Sequence, residues 1–561
     1  MNERSMIVVR MDDLCGAAVR WKSTTFQLSV RRSGMRRVLA GFLGVILMGL
    51  SIVWCGSVSG AYAAGAGHIV DIGAKMSIIG LRFVDKDDLE EVVEELDAAG
   101  CDIPVFDRVR AAIETLYRSR GFTGAAVEME VVTRQTETTP DCHVTYRVEL
   151  MRMGRVELVS DNPRVVELLS PVVRKIEAQE YFNEKELNPY LAVIEGGSLS
   201  SGVVLSTVVK PRVDASGGQP GIFDVEIRVE PVDGPRSTLL FDNKGNDRAS
   251  TPFQATVAHS MPGVFDGLTD VNVALVRGAG QSRTVSFGAR RPFGYNRHAS
   301  CSFVEGEQTQ HPGTTVFTVG YTAADCSMEW RFAPSERVRI NPVLGWDQTR
   351  LDYLLSGTAE VRNTSNLSAG AAIQANGFFN GKLNWSGNWK AKRNHKDKSM
   401  LLGDVKHNGW IHSLASTLTL LPDDRTAYSW LVETQVSQTN SPPSGSSFSL
   451  GQAGRINSLR GGDFSGPKGF FSNVSATRRL GAPEARTTAT LGYSVGGIDE
   501  SNWAFDRDLS EASLGVSKAF SDAVSLSATG AVGLQKGLNR DRPDLPADRP
   551  KSFQVQLAIQ F

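Results

Sequence analysis

From about residue 236 to its end, the chain is a succession of segments in which apolar and polar residues alternate with period two. The last of them, "SFQVQLAIQF", stops on an aromatic: Phe553, Val555, Leu557, Ile559 and Phe561 fall on one face, Gln554, Gln556, Ala558 and Gln560 on the other. Successive side chains of a strand point to opposite faces, so this pattern demands one apolar and one polar environment. "GKLNWSGNWK" does the same with Leu383, Trp385 and Trp389 against Asn384, Ser386, Asn388 and Lys390, and "TTVFTVGYTA" with Phe317, Val319 and Tyr321 against Thr318, Gly320 and Thr322. A soluble sandwich could meet that demand. Strand length, strand number and the terminal Phe561 favour a transmembrane antiparallel β-barrel over residues 234–561, with lipid outside and a polar lumen. Such a barrel is closed, because lipid offers no partner to a sheet edge.

Counting turn-bounded segments gives about sixteen strands, an even number. They lie near 236–243, 252–260, 268–278, 281–292, 297–308, 314–332, 335–350, 366–377, 379–391, 408–420, 426–438, 469–479, 487–496, 509–519, 523–535 and 552–561.

The first half has a different grammar. Residues 35–64 join a basic start (Arg36, Arg37), an apolar run from Val38 to Trp54 and a small-x-small end at Ala61-Tyr62-Ala63, the three parts of a secretory signal. Residues 1–64 are read as that signal, with Met35 an alternative start; bulky Trp54 before Cys55 argues against a lipoprotein site. No later run of about 18 apolar residues offers a spanning helix.

Between about 68 and 232, helical and strand periods mix. Leu89, Val92, Val93 and Leu96 share one helical face within Asp85–Gly100, a charged helix whose acids read as a solvated surface. Val109, Ile113, Leu116 and Tyr117 share another, stopped by Gly121. Strand-like "MSIIGLRFV", "AAVEMEVV" and "HVTYRVELM" surround them, and the β-α-α-β-β pattern recurs from "GRVELVS" to "FDVEIRVEPV". Two α+β modules follow, at 65–150 and 151–233.

Net charge is −1, which gives no basic surface for nucleic acid. Of six cysteines, Cys15 and Cys55 leave with the signal. Cys101 with Cys142 and Cys301 with Cys326 are the pairings by region, in a compartment that permits disulfides, and buried free thiols are the alternative. There is no zinc spacing, no H-E-x-x-H and no phosphate-binding loop, so no cofactor is expected. Gly492-Tyr493-Ser494-Val495-Gly496 matches a nucleophile elbow, yet it lies inside a strand segment with no helix after it. The chain is read as no enzyme.

The stretch "INSLRGGDFSGPKGFF", Ile456 to Phe471, breaks the alternation with Leu459, Arg460, Gly461 and Gly462. On spacing alone it is an exposed turn. With "YRSRGF" at Tyr117–Phe122, "STLLFDNKGNDRAS" at Ser237–Ser250 and the terminal Phe561, it resembles the TpsB transporters of two-partner secretion, the hemolysin-activator type. The resemblance spans the mature chain and implies periplasmic POTRA-like domains before an outer-membrane barrel. The passenger it implies is a large secreted protein in unfolded form; its other partners are outer-membrane lipids and, during biogenesis, the barrel-assembly machinery. It also implies a sixth extracellular loop folded into the lumen, whose Arg460 takes an acid on the wall. Here Gly462 replaces the family's aromatic, and Val495 stands where strand 13 usually offers that acid. Asp499 and Glu500 are the substitutes, unless Arg460 has lost the role. A second "VRG", Val276–Gly278, reads as an ordinary hairpin turn. The expected function is translocation of a passenger protein; the alternative is assembly of other outer-membrane proteins.

Overall fold

The computed structural model describes residues from Ile69 onward, except 72–75, 85, 90–101, 136–139, 195–202, 213–220, 232–233, 244–252, 266, 279–281, 311–316, 336, 356–357, 402, 405–408, 439–445, 451–454, 460–463, 500–508 and 536–548. The signal segment and Cys101 therefore lie outside the described residues.

The first module holds β1 (Ile69–Asp71), β2 (Met76–Ile79), α1 (Ile103–Ser119), β3 (Ala126–Gln135) and β4 (Pro140–Glu149). Its sheet runs β1-β2-β4-β3, with β2 parallel to β4 and β3 antiparallel to it. α1 buries Val105, Phe106, Val109, Ile113 and Tyr117 against that sheet, the stripe a 3.6-residue period requires. Of the expected preceding helix only a 3-10 turn, Lys86–Leu89, is described, and its Leu89 is fully buried.

The second module repeats this topology with β5 (Arg152–Val159), α2 (Pro163–Glu177), α3 (Glu184–Val193), β6 (Val203–Arg212) and β7 (Ile222–Pro231). The order is β5-β7-β6, with β5 parallel to β7 as β2 is to β4. The side chains of Asn162 and Asn183 cap α2 and α3, each accepting a backbone N–H at 2.9 Å.

The "RGF" after α1 joins the two modules. Gly121 has φ 102°, and its carbonyl accepts the N–H of Glu184 at 2.9 Å. A Cβ there would lie 2.2 Å from Asn183 Oδ1, so only glycine lets α1 end this close to the cap of α3. The second module in turn meets the barrel turns: Leu268 belongs to its core, and Lys175 Nζ donates to Tyr295 Oη at 3.2 Å.

The barrel comprises β8 (Arg236–Asp242), β9 (Gln254–Val264), β10 (Thr269–Gly278), β11 (Arg283–Gly294), β12 (Arg297–Gln310), β13 (Phe317–Trp330), β14 (Val338–Leu355) and β15 (Thr358–Gly377). It continues with β16 (Leu383–Ser399), β17 (Trp410–Leu420), β18 (Thr426–Ser437), β19 (Lys468–Leu480), β20 (Thr487–Asp499), β21 (Leu509–Ala519), β22 (Val524–Gly533) and β23 (Lys551–Gln560). These sixteen strands close antiparallel, β23 pairing with β8. The closing ladder runs only from Gln556↔Asp242 to Gln560↔Thr238. Asn243 extends it: its Nδ2 donates to Phe553 O at 2.6 Å and its Oδ1 accepts Val555 N–H at 2.8 Å, so a side-chain amide imitates one more backbone rung.

Most alternating faces lie as the pattern requires. Leu491 and Tyr493, Leu514 and Val516, and Val285 and Phe287 are exposed on the outer surface. Outward tryptophans meet a serine diagonally across the ladder: Trp346 to Ser365, Trp385 to Ser416 and Trp430 to Ser472, each at 2.9 Å. An indole N–H facing lipid needs such a partner.

The structure departs from the sequence expectation in three places in the barrel. Val319 and Tyr321 turn inward, the Tyr321 hydroxyl meeting that of Thr284 at 2.7 Å; alternation shows a strand but not which side faces lipid. The β15–β16 hairpin reaches well above the expected 366–377 and 379–391, because its upper rungs carry polar residues that pair internally, as Arg362 with Asp397. The expected 314–332 segment ends as β13 at Trp330 and resumes as a short piece at Phe332–Ser335. Cys301 and Cys326 face each other in register on β12 and β13 and form a disulfide. Cys142 is also disulfide-bonded.

Candidate functional site in the barrel lumen

Eleven barrel strands precede the connection 438–467 and five follow it. Its described parts lie on the inner wall, where Phe448, Leu450, Ile456, Leu459 and Phe464 form a buried cluster with Phe471 of β19 and Leu509 of β21. A two-rung ladder, Phe448–Ser449 against Ser465–Gly466, pins the base of the loop. Backbone bonds from Leu450 N to Phe464 O and from Ile456 N to Leu450 O fold it into a compact turn.

The wall is shaped to receive the loop. A Cβ at Gly469 would lie 2.3 Å from the Phe448 ring, and one at Gly496 would lie 2.4 Å from Leu450 Cδ2. Gly496 belongs to the "GYSVG" stretch, where Gly492, Ser494 and Gly496 form a luminal stripe and Ser494 Oγ accepts Asn473 Nδ2 at 2.8 Å. The stretch sits mid-strand in β20, with no nucleophile elbow.

Two acids hold the loop. Glu511 of β21 is fully buried; its Oε2 accepts Ser458 N–H at 2.5 Å and its Oε1 accepts Asn457 Nδ2 at 3.3 Å. Glu433 of β18 accepts Arg455 Nε at 2.6 Å. The Arg455 guanidinium also lies 4.1 Å from the centre of the Phe448 ring and donates to Ser449 O. Gln435 Nε2 donates to Ser446 O at 2.6 Å and to Pro467 O at 3.2 Å, fixing both ends of the loop to one side chain. The planar donor fork of arginine lets Arg455 serve a carboxylate, a carbonyl and a ring face at once.

The expected latch is placed only in part. Leu459 is buried in the cluster, whereas Arg460, Gly461, Gly462 and Glu500 lie outside the described residues. Asp499 ends β20, its backbone paired with Lys468. Val495 shares the outer face with Leu491 and Tyr493, so that position could not present any side chain to the lumen. Phe561 lies at the mouth beside the first strand, its backbone bonded to Ser237 in both directions.

Sequence reasoning fixed on Arg460 and missed Arg455, Glu433 and Glu511. Pleat parity carried a signal for the acids. Glu433 stands opposite the Tyr428/Trp430/Val432 face and Glu511 opposite Leu514/Val516, so both were readable as luminal. Nothing in the sequence marked Arg455 as their loop partner.

No family model and no curated protein matches the chain. Among solved structures it is similar to CdiB from Escherichia coli, with a TM-score of 0.62 and 15% identity over 90% of this chain and 93% of that one. It is likewise similar to CdiB from Acinetobacter baumannii, with a TM-score of 0.58 and 13% identity over 89% and 91%. At these identities the likeness establishes the fold: small α+β modules followed by a closed sixteen-strand barrel.

Proposed function

We propose that the chain is an outer-membrane transporter that captures a large unfolded protein with its two α+β modules and passes it through the barrel. The observation that carries this reading is the loop docked inside the lumen. A barrel whose only task were to anchor the modules would have no use for a buried carboxylate holding a rim loop against its wall. Reversible polar anchors, Glu511 and the Arg455–Glu433 pair, are what a closed but openable pore requires. The resemblance of the sequence to TpsB transporters and the fold shared with the CdiB structures support the same reading.

The modules supply a means of capture. Among the described residues β6 is paired on one side only, and Val204 and Val208 are 55% and 43% exposed. An unfolded chain can add a strand to such an edge with backbone bonds alone, asking little of its sequence. The role is non-catalytic, and the energy of export comes from folding of the passenger outside. Deleting the gene and comparing proteins in the culture supernatant tests the proposal. Loss of one large secreted protein supports it. An unchanged secreted set sinks it, and depletion of unrelated outer-membrane barrels would favour an assembly factor instead.

A further inference from the structure

The outer surface of strands β14 to β17 changes chemistry abruptly at one height. Outward positions on β16 run Leu383, Trp385, Trp389 and Ala391, and then Arg393, which pairs in register with Trp410 of β17. From Leu383 to Arg393, a strand tilted about 40° at about 3.3 Å per residue climbs roughly 25 Å, the height of a membrane's apolar band. His412 stacks between Trp389 (6.3 Å, 13°) and Trp410 (6.4 Å, 27°), and the Arg393 guanidinium lies 5.8 Å from the Trp410 ring centre. Stacked aromatics capped by a cation mark a membrane–water boundary.

Just above it, β16 carries a bulge. Asn366 pairs with Asn394 but Ser365 pairs with Lys396, so His395 is the extra residue. An extra residue reverses the pleat. Below the bulge the even positions face the lumen, where Lys392 meets Asp347 at 3.0 Å. Above it the odd positions do: Asp397 takes Arg362 through two bonds, at 3.0 and 2.7 Å, and Ser399 donates to Glu360. Lys396 and Lys398 are therefore turned outward. Strand register then lays out three rows: Trp346, Leu367 and Arg393; above them Gln348, Ser365 and Lys396; above those Arg350, Asn363 and Lys398. Arg350, Arg393, Lys396 and Lys398 are all exposed. Two acids stand at the edges of this patch, Asp352 at 3.1 Å from Arg350 and Asp404 at 4.0 Å from Lys398.

We propose that Arg393, Lys396 and Lys398 form a binding site for the phosphates of a phosphorylated glycolipid of the outer leaflet, with its acyl chains lying along Trp346, Leu367 and Trp389. The proposal rests on the membrane reading of the barrel. Cations held at headgroup height over an apolar wall match both parts of such a lipid, and guanidinium and ammonium groups give phosphate charge-assisted hydrogen bonds. The bulge at His395 is the device that makes the site, because without it Lys396 and Lys398 would point into the lumen.

The full chain is folded into phosphatidylcholine vesicles doped with diphosphoryl lipid A and extracted in mild detergent, and the lipid A retained per protein is measured by mass spectrometry. Insertion is read separately from the heat-shifted gel band. The Arg393→Gln/Lys396→Gln/Lys398→Gln variant is expected to insert as wild type does and to bind lipid A roughly 100-fold more weakly, at about fivefold per cation lost. A Lys390→Gln control, whose side chain faces the lumen, retains lipid A as wild type does. Wild-type retention by the triple variant overturns the proposal, as does equal retention of dephosphorylated lipid A or displacement by millimolar inorganic phosphate. Failure of the wild-type chain to insert would instead overturn the membrane reading and the site with it.

Discussion

Replacing Glu511 by alanine should release the loop from the lumen wall. The carboxylate is fully buried and accepts two loop donors, Ser458 N–H at 2.5 Å and Asn457 Nδ2 at 3.3 Å. A hydrogen bond to a charged group contributes about 1.5–3 kcal/mol, and the longer contact sits at or below the bottom of that range. Removing both, and stranding the Ser458 N–H away from water, costs about 2–4 kcal/mol of docking free energy, a shift of roughly 30- to 1000-fold toward the undocked loop. The buried side chains of Phe448, Leu450, Ile456, Leu459 and Phe464 still oppose release, at about 1.5–3 kcal/mol each, so the variant should flicker rather than stand open. Glu511→Gln retains an acceptor without the charge and should lie between wild type and alanine. Single-channel recording in planar bilayers measures this directly: openings become more frequent in Glu511→Ala, and residues 448–464 become sensitive to protease added from the loop side. A folded variant, verified by its heat-shifted gel band, with wild-type closed time and wild-type protease resistance would refute the argument that this carboxylate holds the loop.

Arg455→Ala should raise channel opening as Glu511→Ala does, and Arg455→Lys should recover only part of the loss, because an ammonium cannot engage Glu433, Ser449 O and the Phe448 ring together; full recovery with lysine would show that charge alone matters. Asn243→Ala removes the side-chain rung at the β8–β23 closure and should lower barrel stability by about 1–3 kcal/mol, read as an earlier urea midpoint for the heat-shifted band; Asn243→Asp, which lacks the donor, should do little better. Cysteine-to-serine replacement at Cys301 and Cys326 should abolish the mobility difference between reduced and non-reduced unfolded protein that this pair produces, and should cost about 2–4 kcal/mol. In the isolated pair of α+β modules, burial lifts the Tyr117 hydroxyl from its usual 10.0 to about 12. An acid whose folded value is raised gives stability that is whole below pH 10 and is lost as pH climbs toward 12, here about 3 kcal/mol. Alkaline melting should follow that window and be blunted in Tyr117→Phe; an unchanged alkaline limb would place the loss elsewhere.

The sequence by itself determined that there is a barrel. Period-two alternation is a local property: residues such as Phe553, Val555, Leu557 and Ile559 need only their own neighbours to define a lipid face, and the terminal Phe561 and the β-α-α-β-β recurrence are equally local. It also placed the interrupted alternation at Ile456–Phe471 in the connection after the eleventh strand. What it could not decide was which loop residue meets which wall residue, since Arg455 with Glu433 and Ser458 with Glu511 are separated by 22 and 53 positions and brought together only by strand register. A one-residue change in register flips every side chain between lipid and lumen. That is why Val495, read as the vacant place of a luminal acid, turns out to face outward. It is also why the bulge at His395 can send Asp397 inward and Lys398 outward from a run that reads as uniformly polar. The alternation is written in single strands, but the site is written in the pairing between them, and pairing exists only once the sheet has closed.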